Sequence, residues 1–139
     1  MVGGTYTIVV NLPEPETLTV GSLGRQELPA GYYAYTGSAF GPGGFARVDR
    51  HHEMAAGKRD TRHWHVDYLL GDTAARIETV ARSPEAEIEC AVAREVAETA
   101  SVVIDGFGAS DCDCPAHLHH HAARDALVAA VRGAHDRHG

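Results

Sequence analysis

The sequence has almost no lysine, few cysteines and no long apolar stretch. Lys58 is the only lysine among 12 basic residues, a composition typical of halophiles or of high-GC genomes. Cys90, Cys112 and Cys114 are too few, and odd in number, for a disulfide framework. No stretch approaches the roughly 20 apolar residues that a membrane helix needs, and residues 1–4 lack the basic start of a signal peptide. We therefore expect a cytoplasmic protein without a membrane partner.

Basic residues are scarce relative to acidic ones, but they are locally concentrated. The formal net charge is −7, from 19 acidic and 12 basic residues, which excludes a protein that binds nucleic acid through overall positive charge. Residues 47–62 nevertheless carry five basic and three acidic side chains, a local charge of +2. This segment is either a solvated helix face or a patch that contacts phosphates, for which arginine is well suited.

The pattern of apolar and turn residues predicts strands and helices within one domain spanning residues 1–139. Runs rich in β-branched and aromatic residues predict strands over 5–10, 18–21, 32–37, 77–81 and 102–104. The first three of these are expected to form an antiparallel meander. Helical patterns with end signals cover 45–56, ended by Gly57, then 83–100, begun by Ser83 and Pro84, and 119–131. Residues 63–70 fit either a strand or a helix.

Two strand tyrosines and one helix stand out as candidates for chemistry. Tyr6 and Tyr35 either fill the core or share one face of paired strands, where cross-strand neighbours approach closely. Arg47 and His51 are four residues apart and therefore share a helix face.

These residues resemble the signature of the GIY-YIG nuclease superfamily. The matching pieces are Gly4-Thr5-Tyr6, Tyr35-Thr36-Gly37, Arg47 and His51. Three longer strings resemble an uncharacterised branch, a domain of unknown function sometimes fused to endonuclease III-type glycosylases: residues 31–39, 63–70 and 107–118. The resemblance implies an α+β fold, with a small central antiparallel sheet flanked by helices and an extra C-terminal helix.

The resemblance also implies a metal-dependent nuclease that hydrolyses phosphodiester bonds in DNA. It would act in DNA repair, in association with a base-excision glycosylase. Tyr35 would orient or deprotonate the attacking water with Tyr6 beside it, Arg47 would stabilise phosphate charge, and His51 would assist proton transfer. Glu89 would hold a divalent cation, magnesium being expected, with Glu85 competing for that role. The expected nucleic-acid contacts are Arg50, Lys58 and Arg59.

Two further clusters have several interpretations. A strand at residues 63–67 would place three side chains on one face, either as metal ligands or as a plain polar face: His63, His65 and Asp67. A later loop would bind zinc, line the active site or carry a reactive thiol; its residues are Asp111, Cys112, Cys114 and His117.

A second hypothesis keeps the fold without the reaction, as a nucleic-acid-binding or zinc-stabilised adaptor module. The nuclease hypothesis requires the two phenols, the guanidinium, the imidazole and the acid to meet at a cleft that admits a sugar-phosphate strand. Either phenol sealed in the interior, or the guanidinium on the opposite surface, would exclude the hypothesis in this form.

Overall fold

The computed structural model describes residues 3–20, 24–40, 44–58, 65–99, 102–104 and 118–139. Within these residues the strands form a five-stranded sheet in the order β5-β1-β4-β7-β6 and a separate two-stranded hairpin of β2 and β3. The elements, in chain order, are β1 (Gly4–Leu12), β2 (Glu16–Val20), β3 (Gly24–Leu28), β4 (Gly31–Ser38), α1 (Ala46–Ala55), α2 (His65–Asp72), β5 (Arg76–Pro84), α3 (Glu89–Thr99), β6 (Val102–Ile104), β7 (Leu118–His121) and α4 (Arg124–His138).

Helices cover both faces of the main sheet. Successive side chains of a strand point to opposite faces, so β1 contributes to two separate cores. Tyr6 and Ile8 pack with α1 and α2 on one face, whereas Val9 packs with α3 and α4 on the other. Every strand pair in the sheet is antiparallel. The expected α+β class, a small antiparallel sheet flanked by helices with a C-terminal helix, is confirmed.

The predicted meander of the first three strands is wrong. The neighbours of β1 in the sheet are β4 and β5, while β2 pairs only with β3. The three predicted strands correspond to β1, β2 and β4, but β2 forms a hairpin with β3 instead of joining them. The reason is composition: β3 reads Gly-Arg-Gln-Glu-Leu, and the side chains of Arg25 and Glu27 are exposed. Such a strand lacks the apolar faces that the middle of a sheet covered on both sides requires. Leu28, at its end, does join the core.

The predicted helix start at Ser83 is also wrong. Strand β5 continues through Pro84, Glu85 turns the chain with φ 61°, and α3 begins at Glu89. Ser83 pairs with Thr5 in the β1–β5 ladder, and long-range pairing outweighs the local capping signal. Glu85 therefore does not share a helix face with Glu89.

The histidine run 119–121 forms a strand, contrary to the helix predicted there. These histidines belong to β7, which pairs with β4 on one side and β6 on the other, and α4 begins only at Arg124. The backbone of this run therefore completes ladders on both sides.

Among the described residues, no helix has the length and apolar character needed to cross a membrane.

Candidate functional site

The two signature tyrosines lie on the same face of the sheet, at the end where β1 begins and β4 ends. Tyr6 pairs with Gly37, and Tyr35 pairs with Ile8, so both rings project toward α1. A methyl group at Gly37 would lie 2.7 Å from the Tyr6 hydroxyl oxygen and 3.2 Å from Cε2 of Tyr35. Glycine at this position is therefore what lets the two rings meet above the strand.

The other signature glycine serves the neighbouring strand. A methyl group at Gly4 would overlap the carbonyl oxygen of Ser83 and would lie 2.8 Å from the amide nitrogen of Glu85. The absence of a side chain thus allows the end of β5 to approach the start of β1.

His51 is the side chain that joins the tyrosines to α1. Its Nε2 lies 2.6 Å from the Tyr6 hydroxyl, and its ring centroid lies 5.5 Å from that of Tyr6 and 6.2 Å from that of Tyr35. The pKa of His51 is lowered to about 4, mainly by burial. Asp67 opposes this shift, and Arg50 and Arg47 add to it. The imidazole is therefore neutral at pH 7, and its Nε2 is suited to accept a hydrogen bond from the phenol.

The Tyr6 phenol is protonated at neutral pH. Burial raises the pKa of Tyr6 well above its ordinary value, and Tyr35 and Glu89 raise it further while Arg47 lowers it. A protonated phenol that donates to Nε2 matches the tautomer of His51 with its hydrogen on Nδ1. Tyr6 thus acts as a partner of His51 rather than as a phenolate base.

Arg47 and Glu89 come from helices that pack on opposite faces of the sheet, and both act electrostatically on Tyr6. The Nη1 of Arg47 donates to the carbonyl oxygen of Ser38 at 2.6 Å, which holds the guanidinium at the end of β4. Thr5 donates to the carbonyl of Ala86 at 2.8 Å and accepts from the amide of Ile88 at 3.1 Å, and so fixes the start of α3 beside β1. Both charged groups are close enough to shift the pKa of Tyr6.

The predicted set of His63, His65 and Asp67 on one strand face is not confirmed. His65 and Asp67 belong to helix α2 rather than to a strand, and His63 lies outside the described residues. Asp67 is fully buried and accepts two hydrogen bonds of 3.2 Å from the guanidinium of Arg50. Arg50, expected to contact nucleic acid, also ties α1 to α2.

Several predicted positions lie outside the residues or side chains that the structure describes. They are Arg59, His63, the side chain of His65, Asp111, Cys112, Cys114 and His117. Lys58, a predicted nucleic-acid contact that the structure does describe, is exposed beyond the C-terminal end of α1. Within the described part of the chain, no three histidine, cysteine or acidic side chains are grouped for a metal ion.

The opposite face of the sheet carries a buried chain of hydrogen-bonded polar side chains that the sequence did not suggest. His135 of α4 lies 2.8 Å from the Ser83 hydroxyl through Nδ1 and 2.8 Å from the Thr7 hydroxyl through Nε2. Thr7 continues to Thr36 at 3.0 Å. This chain attaches the C-terminal helix to β5, β1 and β4. Its members are too far apart in sequence for any spacing signal to have shown it.

Fold and site together define a small α+β domain with a buried tyrosine–histidine pair flanked by a guanidinium and a carboxylate. The family model described as Domain of unknown function DUF123 matches residues 5–139, and the chain belongs to that family. The expected relation to a domain of unknown function is therefore confirmed. No curated protein and no solved structure matches the chain.

Proposed function

We propose that this domain is a metal-dependent nuclease of the GIY-YIG type that hydrolyses phosphodiester bonds in DNA. One observation carries the proposal: the residues of the resemblance come from four separate elements, and each interacts by contact or by charge with the Tyr6–His51 pair. Tyr6 contacts His51 directly, and the charges or rings of the others act on this pair: Tyr35, Arg47 and Glu89. A core aromatic cluster would need neither a charged guanidinium nor a carboxylate beside it.

The exposures of these residues assign different roles to them. Tyr6 and His51 are each only 1% exposed and Tyr35 is 6% exposed, so the open cleft lined by both phenols, which the hypothesis from the sequence required, is not seen. The proposal is therefore a modified form, in which the buried Tyr6–His51 pair positions the residues nearer the surface. Arg47 and Glu89 are half-buried and form the more accessible part of the site. Arg47 would stabilise the charge that develops on the phosphate, and Tyr35 would orient the attacking water.

Glu89 fits a magnesium site although it is a single carboxylate. Mg²⁺ is commonly held by one or two carboxylates together with waters and substrate phosphates. The other nearby acid, Asp67, is occupied by Arg50. A cation bound at Glu89 would neutralise phosphate charge and favour hydrolysis.

The test is cleavage of nicked, branched and abasic DNA with a panel of divalent cations. Arg47→Ala and Glu89→Gln should each lower magnesium-dependent cleavage by about 100-fold or more while the fold is kept. Glu98→Gln, an exposed acid in the last turn of the same helix, is the matched control and should cleave like the wild type. No cleavage by the wild type on any substrate or cation would refute the proposal.

The burial of Tyr6 and His51 favours a second candidate, a DNA-binding module that performs no reaction. It predicts DNA binding that weakens with salt, with no turnover under any condition. Arg47→Ala and Lys58→Ala would then weaken binding, and Tyr35→Phe would leave it unchanged. Cleavage that disappears in Tyr35→Phe would exclude this candidate.

A further inference from the structure

Arg82 lies beside the candidate site, at a position to which the sequence assigned no role. Strand β5 is predicted to end at Ala81, but it continues, and Arg82 pairs with Tyr6 in the β1–β5 ladder. Directly paired residues project from the same face of a sheet. Arg82 therefore flanks Tyr6 on one side, as Gly37 does on the other.

The guanidinium of Arg82 is supported by an aromatic ring. It lies 5.8 Å from the ring centroid of Phe45, within range of a cation–π contact, and its side chain is exposed. Phe45 directly precedes α1, the helix that carries Arg47 and His51. The stack thus ties Arg82 to the start of the helix that carries two site residues.

The partners of other arginines underline the difference. Arg124 and Arg137 form ion pairs with Glu78 and Glu95. Among residues 3–20, 24–40, 44–58, 65–99, 102–104 and 118–139, no carboxylate forms an ion pair with Arg82. Its charge is therefore not neutralised by any described acid, and it lies on the face where the proposed substrate would bind.

We propose that Arg82 binds a backbone phosphate of the nucleic acid, next to the phosphate bound by Arg47. This inference rests on the proposed function. A guanidinium offers planar paired donors to phosphate oxygens, and stacking on Phe45 restricts the long side chain before the ligand arrives, which lowers the entropy lost on binding. The nucleic-acid backbone then crosses from the end of β4 toward the edge strand β5.

The experiment measures binding of fluorescently labelled nicked DNA by anisotropy, in EDTA, over a series of salt concentrations. Arg82→Ala should weaken binding and lower the slope of log affinity against log salt by about 1, the value for one lost phosphate contact. Arg82→Gln, which keeps the aliphatic stem, should do the same. Phe45→Leu should weaken binding less, because it keeps the charge.

The matched control is Arg76→Ala, which removes the same charge from the same strand. Arg76 is exposed at the other end of β5 and pairs with Asn11, on the opposite face from Tyr6. It should bind like the wild type. Loss of binding by Arg82→Ala and Arg82→Gln but not by Arg76→Ala supports the proposal.

Two other outcomes separate this inference from the function on which it rests. Suppose that the wild type binds DNA and that the Arg82 variants bind with the same affinity, or that Arg76→Ala weakens binding as much as they do. Either result refutes the Arg82 contact and leaves the nuclease proposal standing. If the wild type neither binds nor cleaves DNA, both are refuted.

Discussion

At the scale of single residues, the two signature glycines are explained by close approach. Gly37 leaves room for the rings of Tyr6 and Tyr35, and Gly4 leaves room for the end of β5. The sequence predicted Gly37 inside a strand and Gly4 just before one, and in the structure both lie in strands, which a glycine weakens. The structure shows what offsets that cost, since each glycine lets a neighbour lie where a methyl group would otherwise be.

Gly37→Ala should destabilise the protein and disturb the Tyr6–His51 hydrogen bond. The added methyl would lie 2.7 Å from the Tyr6 hydroxyl, and β4 is held on both sides by β1 and β7, so the ring must move. We expect a loss of about 1–3 kcal/mol in the free energy of unfolding, measured by chemical denaturation.

Gly133→Ala is the control for this change. It lies inside α4, and its added methyl would meet only the flexible end of Arg137, at 3.1 Å. Alanine there should be neutral or stabilise by up to about 1 kcal/mol. Equal stability of Gly37→Ala and the wild type would show that the rings above Gly37 are not packed as described.

At the scale of elements, a buried ion pair joins α1 to α2 in addition to the apolar residues that the two helices share in the core. Arg50 of α1 is 14% exposed and Asp67 of α2 is fully buried, and they are joined by two hydrogen bonds of 3.2 Å. The pair also positions His51, the residue directly after Arg50, under the tyrosines. A positively charged helix face in the sequence thus has a structural task in addition to any contact with phosphate.

Arg50→Ala should cost about 3–5 kcal/mol of stability, because it leaves the Asp67 charge buried without its main partner. The control is Arg25→Ala, whose pair with Glu27 is exposed and 3.8 Å long. Losing this exposed pair should lower the free energy of unfolding by at most about 1 kcal/mol. Urea denaturation of both variants measures the difference, and similar small losses would show that the Arg50–Asp67 pair contributes little.

At the scale of the whole molecule, each face of the sheet contains a buried histidine. His51 lies against the tyrosines, and His135 connects α4 to the opposite face. Burial lowers the pKa of both imidazoles. Each therefore resists protonation in the folded state more than in the unfolded chain, where a histidine has a pKa of about 6.5.

The stability of the protein should consequently fall as the pH is lowered from 6.5 toward 4. Below about pH 6.5 the unfolded chain binds protons that folded His51, with its pKa of about 4, does not accept. The contribution of His51 is complete above pH 6.5, and its loss by pH 4 is on the order of 3 kcal/mol.

Denaturation curves between pH 7 and 5, before most carboxylates titrate, measure this slope. His51→Gln should flatten it, whereas His52→Gln, which changes an exposed histidine of the same helix, should leave it unchanged. A slope that His51→Gln leaves as steep as in the wild type would contradict a buried neutral imidazole.

The sequence by itself determined the features that depend on local pattern. Strand β1, helix α1 and the stop at Gly57, which has φ 77°, follow from β-branched runs, apolar periodicity and a positive backbone angle that favours glycine. Tyr6, Tyr35, Arg47 and His51 are likewise recognisable from residue type and spacing, whereas spacing does not distinguish Glu89 from Glu85 as the metal ligand.

Only the tertiary structure decided which strands pair, how deeply the site is buried and which residue adjoins it. Ser83 carries a helix-start signal yet lies in a strand, and the histidines of β7 lie between two strands, because distant segments supply their hydrogen-bond partners. The partner of Asp67 and the position of Arg82 beside Tyr6 arise in the same way. Local signals are worth about 1 kcal/mol each, and completed ladders and buried pairs outweigh them.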